Sequence, residues 1–233
     1  MKKEPGVREA TMGGWFASQP EAVRAALLSH GHTAAYLKGT WINAPSEEPG
    51  VFCGVVSGSV SLHAILPRGD LVLVDLLHRG EWFGQGSLYH AGPVERRILI
   101  AMAAEPVQLL IIGRRDLLDI LRDHPELWAS VAELGVRQLE YAISGWAETL
   151  SLPPKARLAA RLLNLRAPAD AGRGDSQGRI PLTQSEIAEA VGLSRQLVNR
   201  FLREFERRGV IRTGYGAVEI IDPDYLTRLV ETE

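Results

Sequence analysis

The stretch Thr183-Gln184-Ser185-Glu186-Ile187-Ala188-Glu189-Ala190-Val191-Gly192-Leu193-Ser194-Arg195-Gln196-Leu197-Val198-Asn199-Arg200-Phe201-Leu202 decides the fold of this chain. Thr183 and Glu186 stand at T-x-x-E spacing, a capping box that starts a helix. Ala188 is small where a second helix must cross closely, and Gly192 ends the first helix because a left-handed residue costs little without a Cβ. Ser194 suits the N-cap of a second helix. On that helix Leu197, Val198, Phe201, Leu202 and Phe205 fall on one side, and Arg195, Gln196, Asn199, Arg200 and Arg203 on the other. An apolar back with an Arg/Gln/Asn front is what reading a DNA major groove requires, whereas an ordinary surface hairpin would need only a solvated polar face.

The bulk charge of −2 argues against nucleic acid, but its distribution does not. Residues 152–233 carry 13 Lys/Arg against 11 Asp/Glu, while residues 1–151 carry 13 against 17. Between Arg179 and Tyr215 there are 7 Arg and 4 Glu, so the positive charge is local to the helical pair. With 45% apolar and 23% charged residues, the 233-residue chain reads as a globular protein of one large or two ordinary domains. Its apolar runs are too short to span a bilayer, and Met1-Lys2-Lys3 has no apolar core behind it, so a cytoplasmic protein is expected. A single cysteine, Cys53, excludes an intramolecular disulfide or an all-cysteine metal cage within one chain; in its apolar run it reads as a small core residue.

Outward from the helical pair, the chain divides. Residues 14–30 predict one short helix, with Ser18-Gln19-Pro20-Glu21 as a second capping start and Trp15 and Phe16 as anchors. From about 36 to 112, short apolar segments alternate with turns, and Gly58, Gly69 and Gly80 lie 11 residues apart. This spacing predicts a β-sandwich, jelly roll or small barrel. Arg114–Leu121 predicts a short helix, and His124-Pro125-Glu126 opens a long one to about Leu150. Its residues Leu127, Val131, Leu134, Gln138, Tyr141 and Gly145 follow an a/d-like stripe, widened by Trp128, Leu139, Ala142 and Trp146, and dimerisation along it is expected. Ser151-Leu152-Pro153-Pro154 breaks the helix as a hinge. A helix over Lys155–Arg166, a polar loop over Pro168–Gly178 and a β-hairpin over Val210–Ile221 complete the chain. The expected organisation is α+β: an N-terminal jelly-roll-like β-roll over 1–123, a dimerisation helix over 124–150, a hinge over 151–154 and a winged helix-turn-helix over 155–233.

In this order of parts the chain resembles the cyclic-AMP receptor protein/FNR family of bacterial transcription regulators. The resemblance is strongest in Leu182–Arg208, LTQSEIAEAVGLSRQLVNRFLREFERR, and extends to Gly58-Ser59-Val60, Gly80-Glu81-Trp82-Phe83-Gly84 and Leu158–Leu165. It implies a homodimer on palindromic double-stranded DNA, with RNA polymerase as a further partner. By position it places base contacts on Arg195, Gln196 and Arg200, where Arg suits a guanine edge and Gln an adenine or a water bridge. Thr183, Ser194, Asn199, Arg203 and Thr213 are expected at the DNA backbone. Cyclic-AMP receptors carry Glu where this chain has Gln196, so a related but different half-site is expected.

The effector site departs from the family pattern. Nucleotide-binding members hold the ribose with Glu in a Gly-Glu-Leu segment and the phosphate with a later Arg-Ser/Thr pair. Here the first segment is Gly84-Gln85-Gly86-Ser87-Leu88 and the second Glu95-Arg96-Arg97-Ile98. Neutral Gln85 replaces the carboxylate, and the hydroxyl after the Arg is gone whichever of Arg96 and Arg97 takes its place. The expectation is a small effector other than cyclic AMP, or none at all, with the pocket filled by the chain's own side chains. One cysteine cannot hold the iron–sulfur cluster of the oxygen-sensing branch, and Gly84 and Gly86 stand where the carbon-monoxide-sensing branch ligates haem. His90 nearby is the one ligand candidate. A cupin-like metalloenzyme would need a His-x-His pair on a strand, but His63, His78 and His90 are scattered and His30-Gly31-His32 ends the first helix. No catalytic residue is assigned. A nucleotide-binding regulatory subunit without DNA is disfavoured by the helix-turn-helix and wing.

Overall fold

Alternating apolar segments and glycine turns build two antiparallel sheets of four strands each. The structure is a computed structural model and describes residues 13–42, 51–89, 99–167 and 178–232. The strands are β1 (His32–Tyr36), β2 (Trp41–Ile42), β3 (Val51–Ser57), β4 (Val60–Ile65), β5 (Leu71–Leu77), β6 (Trp82–Phe83), β7 (Leu99–Ala103) and β8 (Val107–Gly113). One sheet runs β1-β8-β3-β6 and the other β2-β7-β4-β5, the jelly-roll arrangement expected. Gly58 closes β3 onto β4 with φ +75°, and a Cβ there would collide with the carbonyl of Pro106.

The central strands β3 and β8 are buried on both faces, which explains their unbroken apolar sequence. Cys53, Val55, Leu109 and Ile111 face the opposite sheet. Phe52, Val56, Leu110 and Ile112, one residue out of phase, face a layer of helices. Each such side chain contributes roughly 1.5–3 kcal/mol of transfer free energy. The helical layer consists of α1 (Gly14–Ala17), α2 (Glu21–His30), α3 (Arg114–Asp123) and the long α4 (Leu127–Ser151). Trp15 and Phe16 are buried against Trp82, and the Trp15 indole donates to Ser130 O on α4 at 2.9 Å.

Two local expectations fail. The segment 14–30 is not one helix: Pro20 lacks an N–H and sits at the N-cap of α2, which has no side-chain cap. Ser18 does not cap it; its Oγ donates backward to Trp15 O at 2.8 Å. His32 does not end a helix but opens β1, opposite Ile111.

The a/d-like stripe of α4 turns towards its own chain. Val131 and Leu134 are buried with Trp15, Phe52 and Leu117. Gln138, Tyr141 and Gly145 are half-buried and continue the same inward face. The outward face carries Trp128, Val136, Leu139, Ile143, Trp146 and Leu150, all exposed. The predicted stripe therefore divides: its a/d-like positions pack on the β-roll, while its widening residues Trp128, Leu139 and Trp146 lie on the outward face.

After Ser151 the backbone is extended at Leu152, and Pro153 and Pro154 start α5 (Pro154–Leu165). Then come β9 (Arg179–Ile180), α6 (Gln184–Val191), α7 (Arg195–Arg207), β10 (Ile211–Gly214), β11 (Ala217–Ile220) and α8 (Pro223–Thr232). The third sheet runs β10-β11-β9; β9 was not foreseen in the sequence. The apolar cluster of this C-terminal unit (Leu158, Ile187, Val198, Phe205) extends onto Leu73 and Leu76 of β5, so the unit is docked on the β-roll. The imidazole of His78 meets Leu165 O at 2.9 Å, and Arg179 pairs with Glu105 at 2.7 Å across the same junction. Among the described residues no helix is long and apolar enough to cross a membrane.

Candidate nucleic-acid interface and effector site

The helix-turn-helix is built by its caps. Thr183 Oγ1 accepts from the Glu186 amide at 3.2 Å while the Glu186 carboxylate accepts from the Thr183 amide at 2.6 Å. Gly192 takes φ +64°, and the Leu193 amide then reaches Ala188 O at 3.1 Å. Ser194 Oγ accepts from the Leu197 amide at 3.3 Å and starts α7. Val198, Leu202 and Phe205 are fully buried and fix the rotation of α7 about its axis.

That rotation brings the expected DNA-reading side chains together. Gln196, Asn199, Arg200, Arg203 and Arg207 border one shallow outward cleft. Arg195 lies in an adjoining groove with Thr183 and the hairpin residues Gly214–Ala217. Among the described residues, Arg195, Arg200 and Arg203 have no carboxylate within 4 Å. The acidic residues of α7 are occupied. Glu204 binds Lys155 at 2.5 Å and Arg208 at 3.4 Å. Glu206 accepts from the amide and hydroxyl of Thr213 at 2.8 and 2.6 Å. These partners hold both carboxyls below the usual range, Glu204 chiefly through Lys155 and Glu206 chiefly through the Thr213 hydroxyl. The face therefore presents cations, while Glu204 is ion-paired with Lys155 and Arg208 and Glu206 is turned to the wing.

Thr213 differs from its expected use, because its hydroxyl proton already goes to Glu206. Thr183 and Ser194 use their oxygens only as acceptors in capping, which leaves each hydroxyl a proton to donate. Tyr215 was missed: it is fully exposed at the tip of the β10–β11 hairpin, in a two-residue turn with Gly216 at φ +67°. A lone aromatic between two glycines was the available signal.

At the glycine turn of the β-roll, Gly84 takes φ +95° and Gln85–Leu88 form a 3-10 turn. Gln85 is 6% exposed, and its Nε2 donates to Gln138 Oε1 on α4 at 2.6 Å. Gln138 in turn donates to Trp82 O at 3.3 Å. Ser87 Oγ donates to Gly84 O at 2.9 Å, and Gly86 stands in open space. Arg96, Arg97 and His90 lie outside the described residues, as does most of the Pro168–Gly178 loop. Cys53 is fully buried in β3. His63 and His78 are buried and held by Ser61 Oγ and Leu165 O. Among the described residues, no group of three or more His, Cys, Asp or Glu is placed to hold a metal.

Comparison with known proteins agrees with both halves of this geometry. The family model described as a cyclic nucleotide-binding domain matches residues 34–124, and that described as a Crp-like helix-turn-helix domain matches residues 156–229. The CRP-like cAMP-activated global transcriptional regulator of Mycobacterium tuberculosis is 28% identical over 90% of this chain and 92% of its own length. The transcriptional regulator SdrP of Thermus thermophilus is 28% identical over 76% of this chain and 83% of its own length. A crystal structure of a CRP/FNR-family transcriptional regulator from Thermus thermophilus superposes with a TM-score of 0.64 at 27% identity, covering 86% of this chain and 99% of the other. FixK2 from Bradyrhizobium japonicum shares the fold with a TM-score of 0.69 at 20% identity, over 85% of this chain and 96% of its own. A β-roll, a long helix and a capped helix-turn-helix with a cationic face thus meet two family models in the same order, and the chain belongs to the cyclic-AMP receptor protein/FNR family as a DNA-binding transcription regulator.

Proposed function

We propose that the protein acts in the cytoplasm as a homodimer on a palindromic operator, one α7 in each of two successive major grooves. The observation that carries this is the outward stripe of α4. Six large apolar side chains lie exposed along it at close to heptad spacing, more than a free helix face keeps in water. Pairing this stripe with a second copy joins two helix-turn-helix units by a two-fold axis, which is the symmetry a palindrome requires. The dimer surface thus keeps Trp128, Leu139 and Trp146 of the expected stripe, gains Val136, Ile143 and Leu150, and leaves out Val131, Leu134, Gln138, Tyr141 and Gly145. The division into β-roll (1–123), dimer helix (124–150), hinge (151–154) and DNA-binding unit (155–233) goes with this reading.

Arg195, Gln196 and Arg200 read bases. Thr183, Ser194, Asn199 and Arg203 hold phosphates, while Thr213 positions the wing. Family membership supports RNA polymerase as the downstream partner. The effector is a small molecule other than cyclic AMP, because neutral Gln85 replaces the ribose-binding carboxylate; the site would comprise Gly84, Gln85, Gly86 and Ser87 with Arg96 and Arg97. A second reading, DNA binding with no effector, is favoured by the Gln85–Gln138 hydrogen bond, which already joins the glycine turn to α4.

The test is DNA affinity of the purified protein for a palindromic TGTGA-type duplex against a scrambled one, with and without cyclic AMP, beside its sedimentation mass. A dimer whose discrimination is unchanged by the nucleotide supports the proposal. A monomer bound to a single half-site, or discrimination that appears only with cyclic AMP, overturns it.

A further inference from the structure

The DNA-binding unit leaves α4 through two residues, Leu152 and Pro153, both with extended backbone. So short a connection limits translation, but rotation about the Leu152 backbone stays open, because a proline fixes only its own φ. α5 and α7 share one apolar core, so the recognition helix turns together with α5. α5 is 12 residues long. At a rise of roughly 1.5 Å per residue, a swing of about 10° at the hinge carries its far end by about 3 Å. That is close to the step of about 3.4 Å between successive base pairs. Reading one half-site tolerates such a swing; reading two at a fixed separation does not.

A buried polar cluster opposes the rotation. Arg161 of α5 is only 9% exposed. Its Nη2 donates to Val74 O of β5 at 2.6 Å, and its Nη1 to the Tyr141 hydroxyl of α4 at 3.2 Å. The same hydroxyl donates its proton to the carboxylate of Asp75, again on β5. Burial, and then the charge of Asp75, push the Tyr141 phenol upward, which keeps that proton in place. One oxygen of α4 thus joins an anion of β5 to a cation of α5. Arg161 stands about 10 Å along α5 from Pro154, so the swing of about 10° would displace it by about 2 Å and break both of its bonds. The pairs Arg179–Glu105 and His78–Leu165 O cross the same junction, but each joins only two elements.

Such a cluster adds little stability. Arg161 Nε is buried without a partner, and apolar side chains of similar volume would fill the place as well or better. What a cation, a hydroxyl and a carboxylate supply, and three apolar groups do not, is one relative geometry. We propose that Tyr141 is a positioning residue for operator recognition: its hydroxyl, joining Asp75 to Arg161, holds the DNA-binding unit at one angle to α4 and so confines the dimer to one spacing of its two half-sites. The inference rests on the homodimer and palindrome reading. The angle is set by contacts within the chain and needs no ligand.

The test is fluorescence anisotropy of the full-length protein on duplexes that carry two inverted half-sites, selected from a randomised pool, with the spacer varied in single base pairs. A duplex with one half-site intact and the other scrambled is measured beside them. The unaltered protein is expected to bind its best spacer at least about tenfold more tightly than spacers one base pair longer or shorter. Tyr141→Phe keeps the ring and loses both hydrogen bonds. It should flatten that preference to within about threefold while leaving affinity for the single half-site within about twofold. Arg161→Met, with its folding checked by circular dichroism, should flatten it likewise. Spacing selectivity that stays sharp in folded Tyr141→Phe and Arg161→Met sinks this inference alone. Affinity lost equally at every spacer and on the single half-site would make the cluster merely structural and also overturns it. An unaltered protein that gains nothing from the second half-site sinks the dimer reading, and this inference with it.

Discussion

Glu206 of the recognition helix accepts two hydrogen bonds from one residue of the wing, the amide and the hydroxyl of Thr213, at 2.8 and 2.6 Å. The wing hairpin carries its exposed Tyr215 on two short strands, and this contact sets its angle to α7. Thr213→Val removes the hydroxyl bond and keeps the shape. The expected cost is about 0.5–1.5 kcal/mol in stability of the C-terminal unit, with weaker DNA binding across all sequences. Chemical denaturation and fluorescence anisotropy on two unrelated duplexes would check this; an effect on one duplex only would assign Thr213 a base-reading role instead. Because Glu206 has a folded pKa below its ordinary 4.5, this contribution is full above that pH and lost as pH falls through the lower folded value.

The two faces of α4 predict opposite phenotypes. Val131 is fully buried, and Val131→Ala should cost about 1.5–3 kcal/mol in unfolding free energy without changing oligomeric state. Leu139 is 59% exposed, and Leu139→Glu should leave the fold intact but convert a dimer to a monomer. Sedimentation velocity and urea denaturation of both variants separate the faces. A dimeric Leu139→Glu together with a monomeric Val131→Ala would return the interface to the inward stripe.

The contrast between these faces shows what the sequence could and could not convey. The capping residues Thr183, Glu186, Gly192 and Ser194 act through neighbours three or four positions away, so their roles were legible from spacing. The strands of the β-roll were legible from glycine turns and short apolar runs. The facing of α4 was not, because both of its stripes are apolar and only the tertiary position of Phe52 and Trp15 selects the inner one. Ser18 and Glu21 had the same spacing as Thr183 and Glu186, but Pro20 shifted the helix start and cancelled the cap. The engagement of Gln85 with Gln138 joins residues 53 positions apart, and no local pattern announces it.

On the cationic face, side chains that read bases and side chains that hold phosphates differ in how they fail. Arg195→Ala or Arg200→Ala should each cost about 1–3 kcal/mol and relax the preference at one base pair of each half-site. Arg203→Ala should weaken binding to all duplexes alike and reduce the slope of log affinity against log salt by about 1 per lost contact. Selection from a randomised duplex pool, followed by salt titration, distinguishes the two outcomes. An unchanged consensus in both Arg195→Ala and Arg200→Ala would remove these residues from the base-reading set.

Acid should loosen the junction between the β-roll and the DNA-binding unit. His78 lies at that junction with its ring nitrogen 2.9 Å from Leu165 O, and burial pushes its pKa below 6.5 despite the opposing pull of that carbonyl and of Glu105. His63, also lowered by burial, faces Glu186 of α6 across the same junction. For both groups the unfolded chain binds protons more readily than the folded one, so stability rises with pH through this range. The contribution is complete above about pH 6.5 and is lost as pH falls through the lower folded pKa values. Hydrogen exchange of α5 amides between pH 7.5 and 5.5, corrected for intrinsic rates, should therefore show protection falling as the solution is acidified. His78→Gln keeps a donor for Leu165 O and removes one titration, so its pH dependence should be shallower, with the remainder carried by His63. Protection that rises on acidification, or an unchanged slope in His78→Gln, would take His78 out of this role.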